Sequence, residues 1–172
     1  MVSFSGTLAF RLSIPVVAYH VREELGASAL IVGLITTAYF IMRAFSASIS
    51  GEVIARLRDY RRISFMGFLV SALVVLAYAY SYSWVVVVVL RLIQGFLAGL
   101  MWIPLQYAVS VYSRESWRGR AYAFYFLVGA IGVQVANVVY ALMEAYGALT
   151  ILLLSSILYA GVGYPGLWYP VT

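Results

Sequence analysis

The chain has 172 residues, 65% of them hydrophobic and 10% charged, with a net charge of +5. A soluble domain carries about 25% charged residues, so this composition points away from a water-soluble fold and toward a membrane protein. All the basic residues are arginines, set in short runs between apolar stretches, which marks membrane topology rather than a nucleic-acid-binding face. Cysteine is absent and His20 is the only histidine, leaving no disulfide framework, no thiolate chemistry and little from which to build a metal site; no cofactor or metal is expected.

A helix that crosses the hydrocarbon core of a bilayer needs about 20 mostly apolar residues. Six stretches qualify, and they predict an all-α membrane protein: one six-helix transmembrane domain over residues 1–172. The first runs from about Val2 to Val21 and holds Arg11, Pro15 and Tyr19. It lacks a basic n-region and a small-residue cleavage site, so it reads as a retained helix rather than a signal peptide. The second runs from Ser28 to Ser50 and the third from Ile63 to Tyr82. The fourth spans Trp84 to Tyr112, the fifth Ala121 to Met143 and the sixth Leu149 to Tyr169. Helices are the expected spanning structure, because backbone groups in hydrocarbon must pair internally.

The connecting segments set orientation. EVIARLRDYRR, between the second and third stretches, carries Arg56, Arg58, Arg61 and Arg62; SRESWRGR, between the fourth and fifth, carries Arg114, Arg118 and Arg120. The connections on the other side hold only Arg22. By the positive-inside rule both basic loops and both termini are cytoplasmic. Tyrosine and tryptophan gather at stretch ends, with Tyr78, Tyr80, Tyr82 and Trp84 at one turn and Tyr164, Trp168 and Tyr169 at another, the expected interfacial belt.

Three arginines, Arg11, Arg43 and Arg91, remain inside apolar stretches. Arg91 follows a run of valines about 10 Å from the interfacial Trp84 at 1.5 Å per residue. That is too deep for a helix-end residue, so it either snorkels part of the way or faces a polar cavity or a neighbouring helix. At helical spacing Arg91, Gln94, Ala98, Trp102 and Gln106 share one face, and Gln134 and Asn137 share another on the fifth stretch. Such amides serve either as interhelical glue or as the lining of a substrate path. Gly95 and Gly99 form a GxxxG pair, and Gly132 with Ala136 a looser one, both suited to close helix packing. Pro15 and Pro104 each remove a backbone hydrogen bond within a helix. An enzymatic reading has little to rest on: SISG at 48–51 is only loosely like a serine-protease motif, and the carboxylates sit at helix ends or in loops.

With these residues in view, the chain resembles the N-terminal six-helix half of a major facilitator superfamily transporter. LRLIQG in the fourth stretch, with Arg91, Gln94 and Gly95, is similar to the family's R-x-x-q-G signature. The basic loop matches at Gly51, Arg61 and Arg62, and ELGAS followed by VGLITTAY looks like the first outer loop and second helix. Two departures stand beside this. The loop GEVIARLRDYRR is two residues longer than the family pattern, with Ala55 where an aspartate is usual. The fifth stretch reads GVQVAN, with Val133 where antiporters carry proline.

The resemblance implies a half-bundle of 3+3 helices that moves a small solute by alternating access. A second half would come from a homodimer or a partner chain. It implies that the first and fourth helices face the cavity, with Arg11, Tyr19, Arg91, Gln94, Trp102 and Gln106 as candidate lining residues and Gln134 and Asn137 behind them. The alternative is a non-transporting remnant or membrane scaffold that uses its small-residue faces to bind other helices. The partners expected are the lipid bilayer, an unidentified small-molecule substrate and the second half.

Overall fold

The computed structural model describes residues 1–57 and 59–162, and among them it is all-helical. Helix α1 (Val2–Tyr19) runs through Pro15 into a π-turn at His20–Glu24. Then come α2 (Ala29–Leu57), α3 (Tyr60–Tyr78), α4 (Trp84–Tyr112), α5 (Arg118–Met143) and α6 (Ala148–Val162). Short 3₁₀ turns at Glu115–Trp117 and Glu144–Tyr146 flank α5. Five helical stretches among the described residues are long and apolar enough to cross a membrane, and α6 has 15 described residues. The sixth stretch was expected to reach Tyr169; that part, with Tyr164, Trp168 and Tyr169, lies outside the described residues, as does Arg58.

The largest difference from the sequence expectation lies at the arginine-rich end. The segment after Ser50 is not a loop: α2 continues to Leu57 and α3 begins at Tyr60. Beyond Gly51 this segment has no helix breaker, and Glu52 and Arg56 form an ion pair at i,i+4, a spacing that supports a helix. At 1.5 Å per residue the 29 residues of α2 span about 43 Å, against a hydrocarbon core of about 30 Å, so its charged end stands clear of lipid. Asp59 caps α3, its carboxylate accepting the Arg62 N–H at 3.0 Å. Ser83 caps α4 in the same way through the Val85 N–H.

The helices pack mainly as neighbours in a row: α2 on α4, α4 on α3, α3 on α6, α6 on α1 and α1 on α5. Small residues hold several of these contacts close. A Cβ on Gly99 would come within 2.6 Å of the Ala47 nitrogen and 2.8 Å of the Arg43 carbonyl oxygen of α2. One on Gly95 would meet the Tyr39 backbone, and one on Gly132 would lie 2.7 Å from the Phe4 carbonyl oxygen of α1. Ala136, in the same row of α5, is buried. Hydroxyls bridge other pairs. Ser64 donates to the Met101 carbonyl at 3.0 Å, Ser155 to that of Ala9 at 2.6 Å and Ser156 to that of Ala72 at 2.9 Å. Lipid gives helices no hydrophobic reason to associate, so close van der Waals contact and such polar bridges carry the packing.

Tyr80 and Tyr82 are exposed at the α3–α4 turn, as interfacial residues should be, but Tyr78 is fully buried. Its hydroxyl turns inward to Gln94, so position in the sequence misassigned it to the belt.

Gly99→Leu is expected to abolish or strongly destabilise the folded bundle, because overpacking a tight contact costs about 1–3 kcal/mol or more and the obstruction here is backbone. Gly33→Ala in the same helix pair, where nothing lies within 4 Å of the added carbon, should be neutral or slightly stabilising. Thermal melts and size-exclusion profiles in detergent check both; equal behaviour of the two variants would refute the backbone-contact account.

Candidate functional site

The polar face of α4 divides between two environments. Toward Trp84 it is closed. Arg91 is 5% exposed and Gln94 not at all. Arg91 Nη1 donates to Gln94 Oε1 at 2.9 Å, and the Tyr78 hydroxyl donates to the same oxygen at 2.8 Å. The guanidinium carbon lies 5.2 Å from the Tyr78 ring centroid and 6.0 Å from that of Tyr39, within cation–π range. The three ion pairs among the described residues involve His20, Arg22 and Arg56. A neutral amide and two aromatic faces therefore stand where a counter-charge would be expected, and snorkelling does not describe this arginine.

Toward the arginine-rich end the same face opens. A cavity of about 450 Å³ lies where α1, α2, α4 and α5 meet, a volume within the usual range for small-molecule sites. Its polar groups are Ser3, Thr7 and Arg11 of α1, Arg43 of α2, Gln106 of α4 and Tyr125 of α5, and Trp102 and Phe10 supply apolar wall. Phe10 is fixed by stacking on Tyr39 at 5.1 Å between ring centroids. Trp102 is held edge-on to Phe68, their ring centroids 5.4 Å apart. Ser3 donates to the Tyr125 carbonyl at 2.9 Å, and the Tyr122 hydroxyl donates to the Gln106 carbonyl at 2.9 Å; these bonds tie α5 to α1 and α4 beside the cavity. Gly129 leaves the α5 wall low, since a Cβ there would press to 3.0 Å of Ser3 Oγ.

Of the candidate lining residues, Arg11, Trp102 and Gln106 come together at this cavity. Arg91 and Gln94 do not: the hydrogen bond between them, and the one Gln94 accepts from Tyr78, hold them in the closed core. Tyr19 is 57% exposed, and Gln134 and Asn137 are exposed on α5. Arg43 and Tyr125 were not singled out as lining residues. Arg43 carried a usable signal, being one of three arginines within apolar stretches, whereas Tyr125 is an ordinary aromatic of an apolar helix.

The basic segment does something different from lining. Arg61 donates to the Tyr112 hydroxyl and, at 3.4 Å, to that of Tyr60, and Tyr60 donates to Tyr112 at 2.9 Å. This group clasps the start of α3 to the end of α4. Arg62 contributes its backbone N–H to the Asp59 cap, and Gly51 is exposed with open space around it.

Gln94→Leu should destabilise the protein by about 1.5–3 kcal/mol, because it strips a buried charged donor of its acceptor. Adding Arg91→Met to Gln94→Leu should recover much of that loss, since replacing both partners with apolar groups of similar shape is nearly neutral. A double-mutant cycle by thermal denaturation in detergent reads this; strict additivity would refute the pairing.

Comparison with known proteins agrees with this architecture. No curated protein and no solved structure matches the chain. The family model described as Major Facilitator Superfamily, a transporter family, matches residues 1–172. A bundle of apolar spanning helices enclosing a polar cavity fits that match, and the chain belongs to the Major Facilitator Superfamily.

Proposed function

We propose that the chain is one six-helix half of a carrier that moves a small solute by alternating access, completed by a second copy or by a partner chain. The observation that carries this reading is the cavity between α1, α2, α4 and α5, with two arginines well inside apolar helices. Polar groups placed there are costly, and they mark substrate pathways.

Two further features support it. The neighbour pairs α2·α4, α3·α4, α3·α6, α1·α6 and α1·α5 map onto themselves when α1, α2 and α3 are exchanged with α4, α5 and α6. That is the pattern expected of 3+3 inverted repeats with a site at their interface. Burial is also uneven. In the most apolar stretches containing α2 and α5, 17% of residues are buried, against 44% for α4 and 39% for α1 and α3. The two flanks of the row are thus the natural faces for a second half. With both termini in the cytoplasm, two copies would stand parallel about an axis along the membrane normal. The scaffold alternative gains no support from Gly95, Gly99 and Gly132, which make their close contacts within the chain.

Crosslinking in native membranes should trap a discrete dimer, or a pair with another six-helix chain, and reconstituted vesicles should show solute flux. A lone monomer without flux would sink the proposal. Orientation has a direct readout, because the chain has no cysteine. A cysteine introduced by Ser116→Cys should be protected from a membrane-impermeant maleimide in intact cells. One introduced by Tyr82→Cys should be labelled; the reverse pattern would overturn the assignment of the arginine-rich end to the cytoplasm.

A further inference from the structure

Among the described residues, the cavity is lined by two cations and no anion. Arg11 lies nine residues past Val2 and eight before Tyr19, and Arg43 lies fourteen residues from either end of α2. Both are therefore well inside their helices rather than at an end. Both line the same cavity and both are half-buried. The six acidic residues of the chain are Glu23, Glu24, Glu52, Asp59, Glu115 and Glu144. None of them lines the cavity, and no ion pair joins Arg11 or Arg43 to a carboxylate among the described residues. Arg91 is sealed in the core with Gln94, Tyr78 and Tyr39 packed around it, one hydrogen bond from Nη1 and its Nε unpartnered. Arg11 and Arg43 instead face open volume.

Like charges sharing a low-dielectric cavity repel one another and each carries a desolvation cost. A cationic solute would add to that cost, and a neutral one would leave both charges uncompensated. An oxyanion would remove it, since guanidinium forks match carboxylate and phosphate oxygens with paired hydrogen bonds. Ser3, Thr7, Gln106 and Tyr125 add a few neutral polar groups, but the three large rings of Trp102, Phe10 and Phe126 dominate the rest of the wall and suit a flat apolar body better than an inorganic ion. We infer that this cavity binds a small organic anion, a carboxylate or phosphate head on a one- or two-ring apolar body, with Arg11 and Arg43 on the head and Trp102 against the body. The assignment of this anion as transported cargo rests on the carrier reading; the binding itself does not.

The test uses the purified full chain in detergent with benzoate, phenyl phosphate and neutral benzamide as probes, read by thermal shift and tryptophan fluorescence. Benzoate or phenyl phosphate should raise the melting temperature and perturb the fluorescence, and the tighter of the two names the head group. Benzamide should do neither. Arg11→Gln and Arg43→Gln should each weaken binding by about 10-fold or more, as expected for losing a charge-assisted hydrogen bond. Arg11→Lys and Arg43→Lys should recover part of that loss. Arg118→Gln, at an exposed position, should bind as the parent does. Trp102→Phe should lose most of the fluorescence response while the thermal shift persists. Benzamide binding as tightly as benzoate, glutamine variants that bind unchanged, or no binding by either anion would overturn the inference.

Uptake into vesicles separates the two levels of the argument. Anion binding without uptake would leave the site standing and sink the carrier reading. Uptake of a neutral or cationic solute, unaffected by Arg11→Gln and Arg43→Gln, would do the opposite.

Discussion

The backbone contact between α2 and α4 fixes more of this structure than any other single feature. Gly95 and Gly99 are one turn apart, and opposite them run Tyr39, Arg43 and Ser46, which share a face of α2. With no side chain on α4 to hold the helices apart, α2 settles against it backbone to backbone, and Ser46 reaches the Gly95 carbonyl at 3.5 Å. This contact sets the rotation of α2 about its own axis. From that rotation follow the Tyr39 ring beside Arg91, the stacking of Phe10 on Tyr39 and the entry of Arg43 into the cavity. A helix turned by one residue, about 100°, would lose all three.

Helix α4 accordingly has two functions along its length. Toward Trp84 its polar residues are structural: Gln94 offers one oxygen to two donors, Arg91 and Tyr78, and so joins α3 to α4 across the core. A carboxylate at that position would neutralise the arginine and hold it more tightly. An amide leaves the cluster cationic but hydrogen-bonded, with aromatic faces supplying the remaining stabilisation. Toward Tyr112 the same helical face is left open by the small residues of α5, and its polar groups are available to a ligand. Serines on α3 and α6 do the corresponding work at other seams, each donating to a backbone carbonyl of a neighbouring helix. The bundle is thus joined by hydroxyl-to-carbonyl bonds and glycine contacts, with its few charges reserved for one core cluster, one cavity and the two membrane faces.

Much of the architecture was legible in the sequence. Apolar length gave the spans, because bilayer thickness imposes the same minimum on each of them, although the sixth can be followed only to Val162. The GxxxG pair identified where α4 lies closest to a neighbour. The site was legible only in part. Spacing put Arg91, Gln94, Trp102 and Gln106 on one face, and they do lie on one face; what spacing cannot say is how far along that face the neighbouring helices close over it. Closure at Arg91 depends on Tyr39 and Tyr78, which arrive from α2 and α3 and carry no mark of that role in sequence. The end of α2 was misjudged for a different reason. Charged residues were taken for a loop, yet a helix that has left the hydrocarbon carries charge readily, and Glu52 with Arg56 reinforces it.

The placement of Arg11 and Arg43 well inside apolar helices would have an electrical consequence. Moving one elementary charge across a full membrane potential of 100 mV is worth about 2.3 kcal/mol, so a charge halfway through the field experiences roughly half of that, about 1 kcal/mol. A charge on either side chain would feel a voltage across the bilayer directly. An anion of the proposed kind that joined them would cross part of the field, and its occupancy of the cavity would shift with membrane voltage. Binding at such a depth would respond to voltage through the placement of two side chains along two helices, without any dedicated voltage sensor.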